Sequence, residues 1–440
     1  MARRFSLAVR SGAAMIAAWF SCYDAGHAQT LADAIAATFQ NNPDLEDARL
    51  GVRASKEDVW QARSAYVPSV NLEGSAGQRV LDIRQQSVLG PVDTHLDQET
   101  SAASAIVTQK LYTGGRRGAQ MHLARAGLEG ARQNLRIEEQ NVLLQAVQAY
   151  VNVVRDDGIL AVRLDYVKSL ETQLDATRRR LDVGEVTRTD LSQSQARLAG
   201  ARGQLAQAQA DAATSHAKYV EVTGVEPSAL QAATVPAQAP RSLEEAVSAA
   251  DAHHPKILEA RENERAAAAR VGIDRSAYLP QLSIVGRADS LENTDQLEQK
   301  RDSTSVTAEL SVPLFDGGFG WSRTRQAHIT LSRAKANLAS RRQEITAQVA
   351  AAWNEAAASR EIIAAARQQV TASDDAVKGA ERELGIGTRS TTEVLDARQD
   401  LQSAQITLLQ ARARGALANY ALLAAVGELD AQVFQTAAAN

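Results

Sequence analysis

Glu393 and Asp396 stand three residues apart, a spacing that brings two carboxylates onto one face of a helix. Repeated around a symmetry axis, such a pair would build two acidic rings. Charged rings of this kind attract cations and can hold a divalent ion, as in cation-selective pores. Arg389 lies just before them, and Thr189 and Asp190 occupy a similar stretch some 200 residues earlier. A plainer role competes. Ser390-Thr-Thr-Glu393 fits a capping box and Thr187-Arg-Thr-Asp190 approximates one, so Glu393 and Asp190 would satisfy helix N-termini, with or without a second task. Asp396 lies outside the box and is either part of a gate or a solvated carboxylate. Catalytic chemistry has little to stand on. His253-His254 precede a proline where Asn41-Asn42 do, which reads as a turn rather than a metal site. His122, His216 and His328 are scattered along helical stretches. The Gly-Gly pairs lack the Lys-Ser/Thr of a phosphate loop, and Gly385-Ile-Gly387 follows a long helix instead of opening one. There is no nucleophile–base arrangement, so no catalytic residue, cofactor or metal site is expected.

The elements that position these residues are written twice. Ala65-Tyr66-Val67-Pro68 returns as Ala277-Tyr278-Leu279-Pro280, Asn42-Pro43 as His254-Pro255, and Leu31-Ala-Asp-Ala-Ile as Leu243-Glu-Glu-Ala-Val, each 212 residues on. Gly114-Gly115 matches Gly317-Gly318, and Val183-Gly184 matches Ile386-Gly387, at an offset of 203. A period this long is one large unit duplicated rather than a short solenoid repeat.

Composition supports long helices over compact globules. Prolines fall only at 43, 68, 91, 227, 236, 240, 255, 280 and 313, which leaves 92–226 and 314–440 free of them. Aromatics make up 4% of the chain. The first 28 residues read as an export signal: Arg3, Arg4 and Arg10, then the apolar Ala13–Phe20, then Gly26-His27-Ala28 with small residues at −3 and −1 of a cleavage site. The only cysteine, Cys22, lies within that segment behind Trp19-Phe20-Ser21, so lipidation is not expected. Cleavage after Ala28 removes three arginines and one aspartate, leaving 45 basic and 51 acidic residues and a formal charge of −6. Nothing points to nucleic acid. No remaining stretch approaches the roughly 20 apolar residues of a spanning helix, so a membrane location requires a β-barrel.

Each copy opens with a short helix and a turn, followed by a helix that stops at Tyr66 or Tyr278, because a residue before proline is pushed out of the helical region. Alternation follows Pro68 and Pro280: Val70, Leu72, Gly74 and Ala76 interleave with polar residues, as do Leu282, Ile284, Gly286 and Ala288. Val306, Ala308, Leu310 and Val312 mark a returning strand, with a weaker counterpart near 102–111. Such period-2 patterns fit transmembrane strands or half-buried hairpins. Polar stretches 84–98 and 290–301 read as loops. Thr113-Gly114-Gly115 and Asp316-Gly317-Gly318 supply N-cap and turn chemistry for the next element. That element is a helix on the order of 100 Å long. Its apolar residues recur every seven, at Leu128, Leu135 and Val142. After a four-residue stutter they continue at Val153, Leu160, Val167, Leu174 and Leu181. Turns at Gly184 and Gly387 lead into return helices near 188–223 and 391–426.

One chain thus holds four strands and two long helical hairpins. Four strands cannot close a barrel, and an open sheet in lipid leaves backbone groups unsatisfied. The barrel must be shared. Two chains would make eight strands and three would make twelve; eight leave an interior largely filled by side chains.

The duplicated Ala-Tyr-x-Pro before a strand, the Gly-Gly before a long helix and the glycine turns at the tips together resemble the TolC family of outer-membrane efflux and secretion channels. The likeness covers essentially the whole mature chain. Arg180-Leu-Asp-Val-Gly-Glu-Val-Thr-Arg-Thr-Asp190 is similar to the branch serving type I protein secretion. The resemblance implies a mainly α fold with a membrane β part: a homotrimer forming a 12-stranded β-barrel continued by a 12-helix periplasmic α-barrel. It implies partners as well, namely a periplasmic adaptor (membrane fusion protein), an inner-membrane transporter of ABC or RND type, and outer-membrane lipid. It also implies that Glu393 and Asp396 form the constriction, that Arg389 binds Thr189 and Asp190 to tie hairpins shut, and that Gly184 and Gly387 mark the adaptor contact. The family's gate tyrosine is replaced here by Leu384, which removes one hydrogen bond.

The expected function is therefore a passive, gated conduit from periplasm to exterior, for type I secreted proteins, small molecules or both, without enzymatic activity. Its expected organisation is a signal peptide at 1–28, a first repeat at 29–240 (strands about 66–111, hairpin 115–223) and a second at 241–440 (strands about 279–314, hairpin 318–426). The alternative is a periplasmic coiled-coil adaptor or scaffold. Two hairpins, each following a strand pair, favour the conduit.

Overall fold

The structure, a computed structural model, describes residues 29–87, 90–233, 240–293, 300–431 and 434. The expected export signal, with Cys22, lies outside them. Each repeat contributes two short helices, two strands and a long hairpin. In the first these are α1 (Leu31–Asn41), α2 (Pro43–Ser64), β1 (Ser69–Ser87), β2 (Gly90–Thr113), α3 (Arg116–Asp182) and α4 (Arg188–Thr223). The second has α5 (Leu243–His253), α6 (Pro255–Arg275), β3 (Gln281–Asn293), β4 (Lys300–Ser311), α7 (Phe319–Gly385) and α8 (Thr391–Val426).

α3 and α7 are each 67 residues long, about 100 Å at 1.5 Å per residue. Buried small residues recur every seven along the return helices, at Ala201, Ala208 and Ser215 on α4 and at Ala404, Ala411 and Ala418 on α8. This is the seam of a supercoiled pair, and its short side chains let the helices lie close. α3 packs along α4, α6, α2 and α8, so the first hairpin is held against elements of the second repeat. Midway along, Tyr150, Tyr219 and Tyr420 are fully buried with Leu31, Ile35, Leu143, Val147 and Leu423. The Tyr150 hydroxyl lies 2.8 Å from the Gln231 carbonyl and 3.0 Å from that of Gln29, which pins two irregular segments to this belt. Ala246, Ile257, Ile345, Val349 and Leu422 form a counterpart in the second repeat.

The four strands form one antiparallel sheet in the order β1-β2-β3-β4, with a register shift between Lys110 and Tyr112. The register puts Val70, Leu72, Gly74 and Ala76 on the same face as Ala103, Ala105 and Val107 of β2, and as Leu282, Ile284, Gly286, Val306, Ala308 and Leu310 of β3 and β4. Asn71, Glu73, Ser75, Ser104, Arg287 and Glu309 take the other face. One face is apolar and one is wet, as in a membrane strand.

Three expectations need correction. Residues 84–98 are not a loop: β1 continues to Ser87 and β2 begins at Gly90, with Arg84 bonded to Asp93 at 2.6 and 3.0 Å and Gln78 to Asp97 at 2.8 Å. Cross-strand polar pairs sustain the ladder where apolar alternation fades. Likewise 290–293 and 300–301 are strand, while 294–299 lie outside the described residues. α2 ends at Ser64, two residues before Tyr66, and a 3-10 turn over Ser276–Tyr278 separates α6 from the second proline. As expected, the two Gly-Gly segments supply the starts of α3 and α7: Gly115 and Gly318 are the left-handed N-caps, and Thr113 and Asp316 give the side-chain bonds. There the Asp316 carboxylate accepts from the amides of Gly318 (3.0 Å) and Gly320 (2.7 Å), and the Thr113 hydroxyl accepts weakly from that of Arg117 (3.4 Å).

Candidate functional site at the hairpin tips

Each long hairpin turns over at a glycine. Gly184 (φ 82°) and Gly387 (φ 77°) adopt the left-handed conformation that L side chains resist. The next amide closes back, Glu185 to the Arg180 carbonyl at 2.8 Å and Thr388 to that of Glu383 at 3.0 Å. These two bonds satisfy the last carbonyls of α3 and α7 and aim the chain into the return helices.

Both capping boxes are formed. The Asp190 carboxylate accepts from the amide and hydroxyl of Thr187, each at 2.8 Å, and the Glu393 carboxylate from the amide (2.9 Å) and hydroxyl (2.8 Å) of Ser390. The Thr187 and Ser390 hydroxyls accept in turn from the amides of Asp190 and Glu393 at 3.3 Å. The backbone bond from Thr187, followed by its hydroxyl, holds Asp190 below the usual carboxylate range. Glu393 is held down likewise by the Ser390 backbone, its hydroxyl and then Arg389. Asp190 is half-buried and Glu393 exposed, and both are ionised at neutral pH, as an electrostatic ring would require.

Within the protomer Arg389 faces Glu383 at 3.1 Å and Glu393 at 3.9 Å. Thr189 and Asp190 belong to the other tip, and Asp190 is engaged by its own box. Leu384 is the penultimate residue of α7, three residues before Gly387, and is partly buried. Asp396 is not simply solvated: its carboxylate accepts from Arg197 of α4 at 2.5 Å, and Arg197 also donates to Gln399 at 2.9 Å. Thr392 donates to Gln193 at 3.2 Å beside them. Beneath this polar line Leu395 packs with Val167, Leu170, Leu174, Leu198 and Ala201. The two tips of one protomer are thus joined by an apolar cluster and a charged clasp.

Sequence reasoning missed Arg197. The duplication carries a signal for it: the offset of 203 aligns Gln193 with Asp396 and Arg197 with Asp400. Equivalent positions on the two hairpins therefore differ in charge, as two unlike faces that meet require. Pro68 and Pro280 open the two strand pairs just after the helix ends. Gly114 lies where the second repeat's turn presses in: a Cβ there would stand 2.6 Å from that of Leu279.

Among the described residues no helix is long and apolar enough to cross a membrane, and no cluster of metal-ligating side chains occurs. A two-faced sheet joined to helical hairpins of this length, ending in charged tips, defines the protomer of a channel whose membrane part is a β-barrel. The profile of the outer membrane efflux protein family matches twice, over residues 34–225 and 246–428, and the chain belongs to that family. It is an outer-membrane export channel protein and not an enzyme. It is 31% identical over 404 residues to the outer membrane efflux protein BepC of Brucella suis, covering 92% of this chain and 86% of that one. It is 27% identical over 419 residues to the outer membrane protein TolC of Vibrio cholerae, covering 92% of each. The CmeC outer membrane channel of Campylobacter jejuni shares the fold, with a TM-score of 0.79 at 15% identity over 92% of this chain and 88% of that one. TolC-family channels work with adaptors and inner-membrane transporters in tripartite systems.

Proposed function

We propose that three copies of this chain close into a 12-stranded β-barrel continued by a 12-helix periplasmic tunnel. One pair of equivalent seams carries this reading. Within the chain, β2 pairs with β3, α3 packs on α6, and Gly114 meets the turn at Ser276 and Leu279. The equivalent surfaces at the chain's two edges are open. Among the described residues no atom lies within 4 Å of a Cβ built at Gly317. Leu314, Phe315 and Trp321 beside it are 93%, 90% and 68% exposed, and Val67 and Trp60 are exposed on the opposite edge. The β4–α7 edge of one copy and the β1–α2 edge of the next would reproduce the internal seam. Three copies rather than two leave a lumen.

In such a trimer Asp190, Thr189, Arg389, Glu393 and Asp396 face one another at the tunnel's far end and form the periplasmic gate. Gly184 and Gly387 shape the surface offered to a periplasmic adaptor. An inner-membrane transporter of ABC or RND type supplies the energy. The cargo follows that transporter and comprises secreted proteins, small molecules or both. The segment 180–190 supports the type I secretion branch. The organisation proposed is a cleaved signal at 1–28 with repeats at 29–240 and 241–440.

Extraction and mass measurement test the assembly. The protein is expected to resist a salt wash, to need detergent for release, and to have the mass of three chains. Release by salt as a soluble monomer would refute the shared barrel.

A further inference from the structure

The sheet reverses its two faces partway up the first hairpin. From Val70 to Ala76 the even-numbered residues of β1 are apolar and the odd-numbered ones polar. Beyond Gly77 the order inverts. The even positions carry Gln78, Asp82 and Arg84, paired with Asp97, His95 and Asp93 of β2, with Val80 the one apolar residue of β1 among them. On the odd face Ile83 stands diagonal to Val92, and the register sets Leu81 opposite Leu96. A spanning strand needs about 9–11 residues, so β1, which starts at Ser69, leaves the lipid close to where the inversion begins.

The ten pairs from Gln78–Glu99 to Ser87–Gly90 have no third strand beside them among the described residues. A lone two-stranded ribbon is marginal in water, and this one leaves Ile83 37% and Val92 51% exposed. In the shared barrel the apolar face of the lower sheet looks outward to lipid, so the opposite face, which carries Ile83 and Val92 between polar neighbours in the ribbon, looks over the channel axis. Among the described residues no other strand rises beside the ribbon, so the surface repeated there is the same ribbon of another copy.

We infer that the Ile83–Val92 face of the β1–β2 ribbon is an interaction surface for the same face of the neighbouring copies, and that the three ribbons lean together to roof the outer mouth. This rests on the shared barrel proposed above. The charged pairs stay on the outside, in water, and the apolar residues gain cover that neither lipid nor their own strand partners provide.

Cross-linking of the full-length protein in isolated outer membranes tests it, in a Cys22→Ser background. Ile83→Cys treated with a short bis-maleimide is expected to give covalent multimers, and Asp82→Cys, on the other face, is not. Ile83→Asp combined with Val92→Asp is expected to raise single-channel conductance several-fold. Absence of a link from Ile83→Cys in a preparation that still runs as an oligomer on native gels would overturn the roof and leave the channel reading intact. So would unchanged conductance of the double variant. A monomer on those gels would overturn both readings.

Discussion

Arg197 of α4 donates to Asp396 of α8 across 2.5 Å, joining residues 199 apart in the chain and the two hairpins of one protomer. It neutralises one of the two carboxylates that would line a tip ring and orients it toward its own protomer. Glu393, in its capping box, is left to share Arg389 with Glu383.

Removing the clasp should change conduction more than stability. The pair is partly exposed, and ion pairs of that kind contribute about 0–1 kcal/mol. Arg197→Gln is expected to leave the melting temperature within a few degrees of wild type, while the channel becomes more cation-selective. Reversal potentials in a KCl gradient check this, and an unshifted reversal potential would remove Asp396 from the conducting path.

Arg389 reports on closure. Its guanidinium holds two carboxylates at the second tip, and in a trimer it stands close to the neighbouring tip as well. Arg389→Ala is expected to raise single-channel conductance of the purified protein in bilayers. Conductance equal to wild type would exclude Arg389 from the gate.

His254 makes the second repeat sensitive to acid. Its Nδ1 accepts from the Lys256 amide at 3.2 Å, which only the neutral ring with its proton on Nε2 can do. Burial first, then Lys256 and Arg136, push its pKa from 6.5 down to about 4. Because the folded value lies below the unfolded one, the unfolded chain takes up the proton first. Stability is then full above pH 6.5 and is lost as pH falls toward 4, by at most roughly 3 kcal/mol. Asn42 makes the same cap in the first repeat, accepting from Asp44 at 2.9 Å without a titratable group. His254→Asn should therefore flatten the melting temperature between pH 7 and pH 4.5. A variant that loses stability with acid as steeply as wild type would show that another group is responsible.

Gly317 separates folding from assembly. Its left-handed φ of 69° makes Gly317→Ala cost about 1–2 kcal/mol locally, but no atom of the protomer obstructs the new methyl. The variant should keep the wild-type helical circular dichroism and form fewer oligomers on native gels. Gly114→Ala meets Leu279 within the chain, so it should weaken the protomer itself. Equal oligomer yield for Gly317→Ala and wild type would mean that the open edge at Gly317 is not a seam.

The long helices were legible because their cause is local. Proline-free runs with Val153, Val167 and Leu174 at seven-residue spacing need no distant partner to declare a supercoiled face. Alternation at Val70–Ala76 declared a strand for the same reason. The ribbon at 84–98 was misread because Asp82, Arg84, Asp93 and His95 look like a loop until the strands are paired, when they become cross-strand partners. The clasp was harder to read, because the duplication marks Arg197 and Asp396 as positions whose charge differs between the hairpins but does not show that the two helices meet there.

By itself the sequence determined the duplicated unit, the long helices and their length, the glycine turns and the capping boxes at Thr187 and Ser390. Each of these follows from backbone sterics or from the period at which a face must be wet or dry. Only the tertiary structure decided that α8 docks on α3, that Arg197 meets Asp396, and that Gly114 has a neighbour while Gly317 has none among the described residues. Those outcomes depend on which surfaces of a long chain come to face each other, and that is settled by packing between elements hundreds of residues apart.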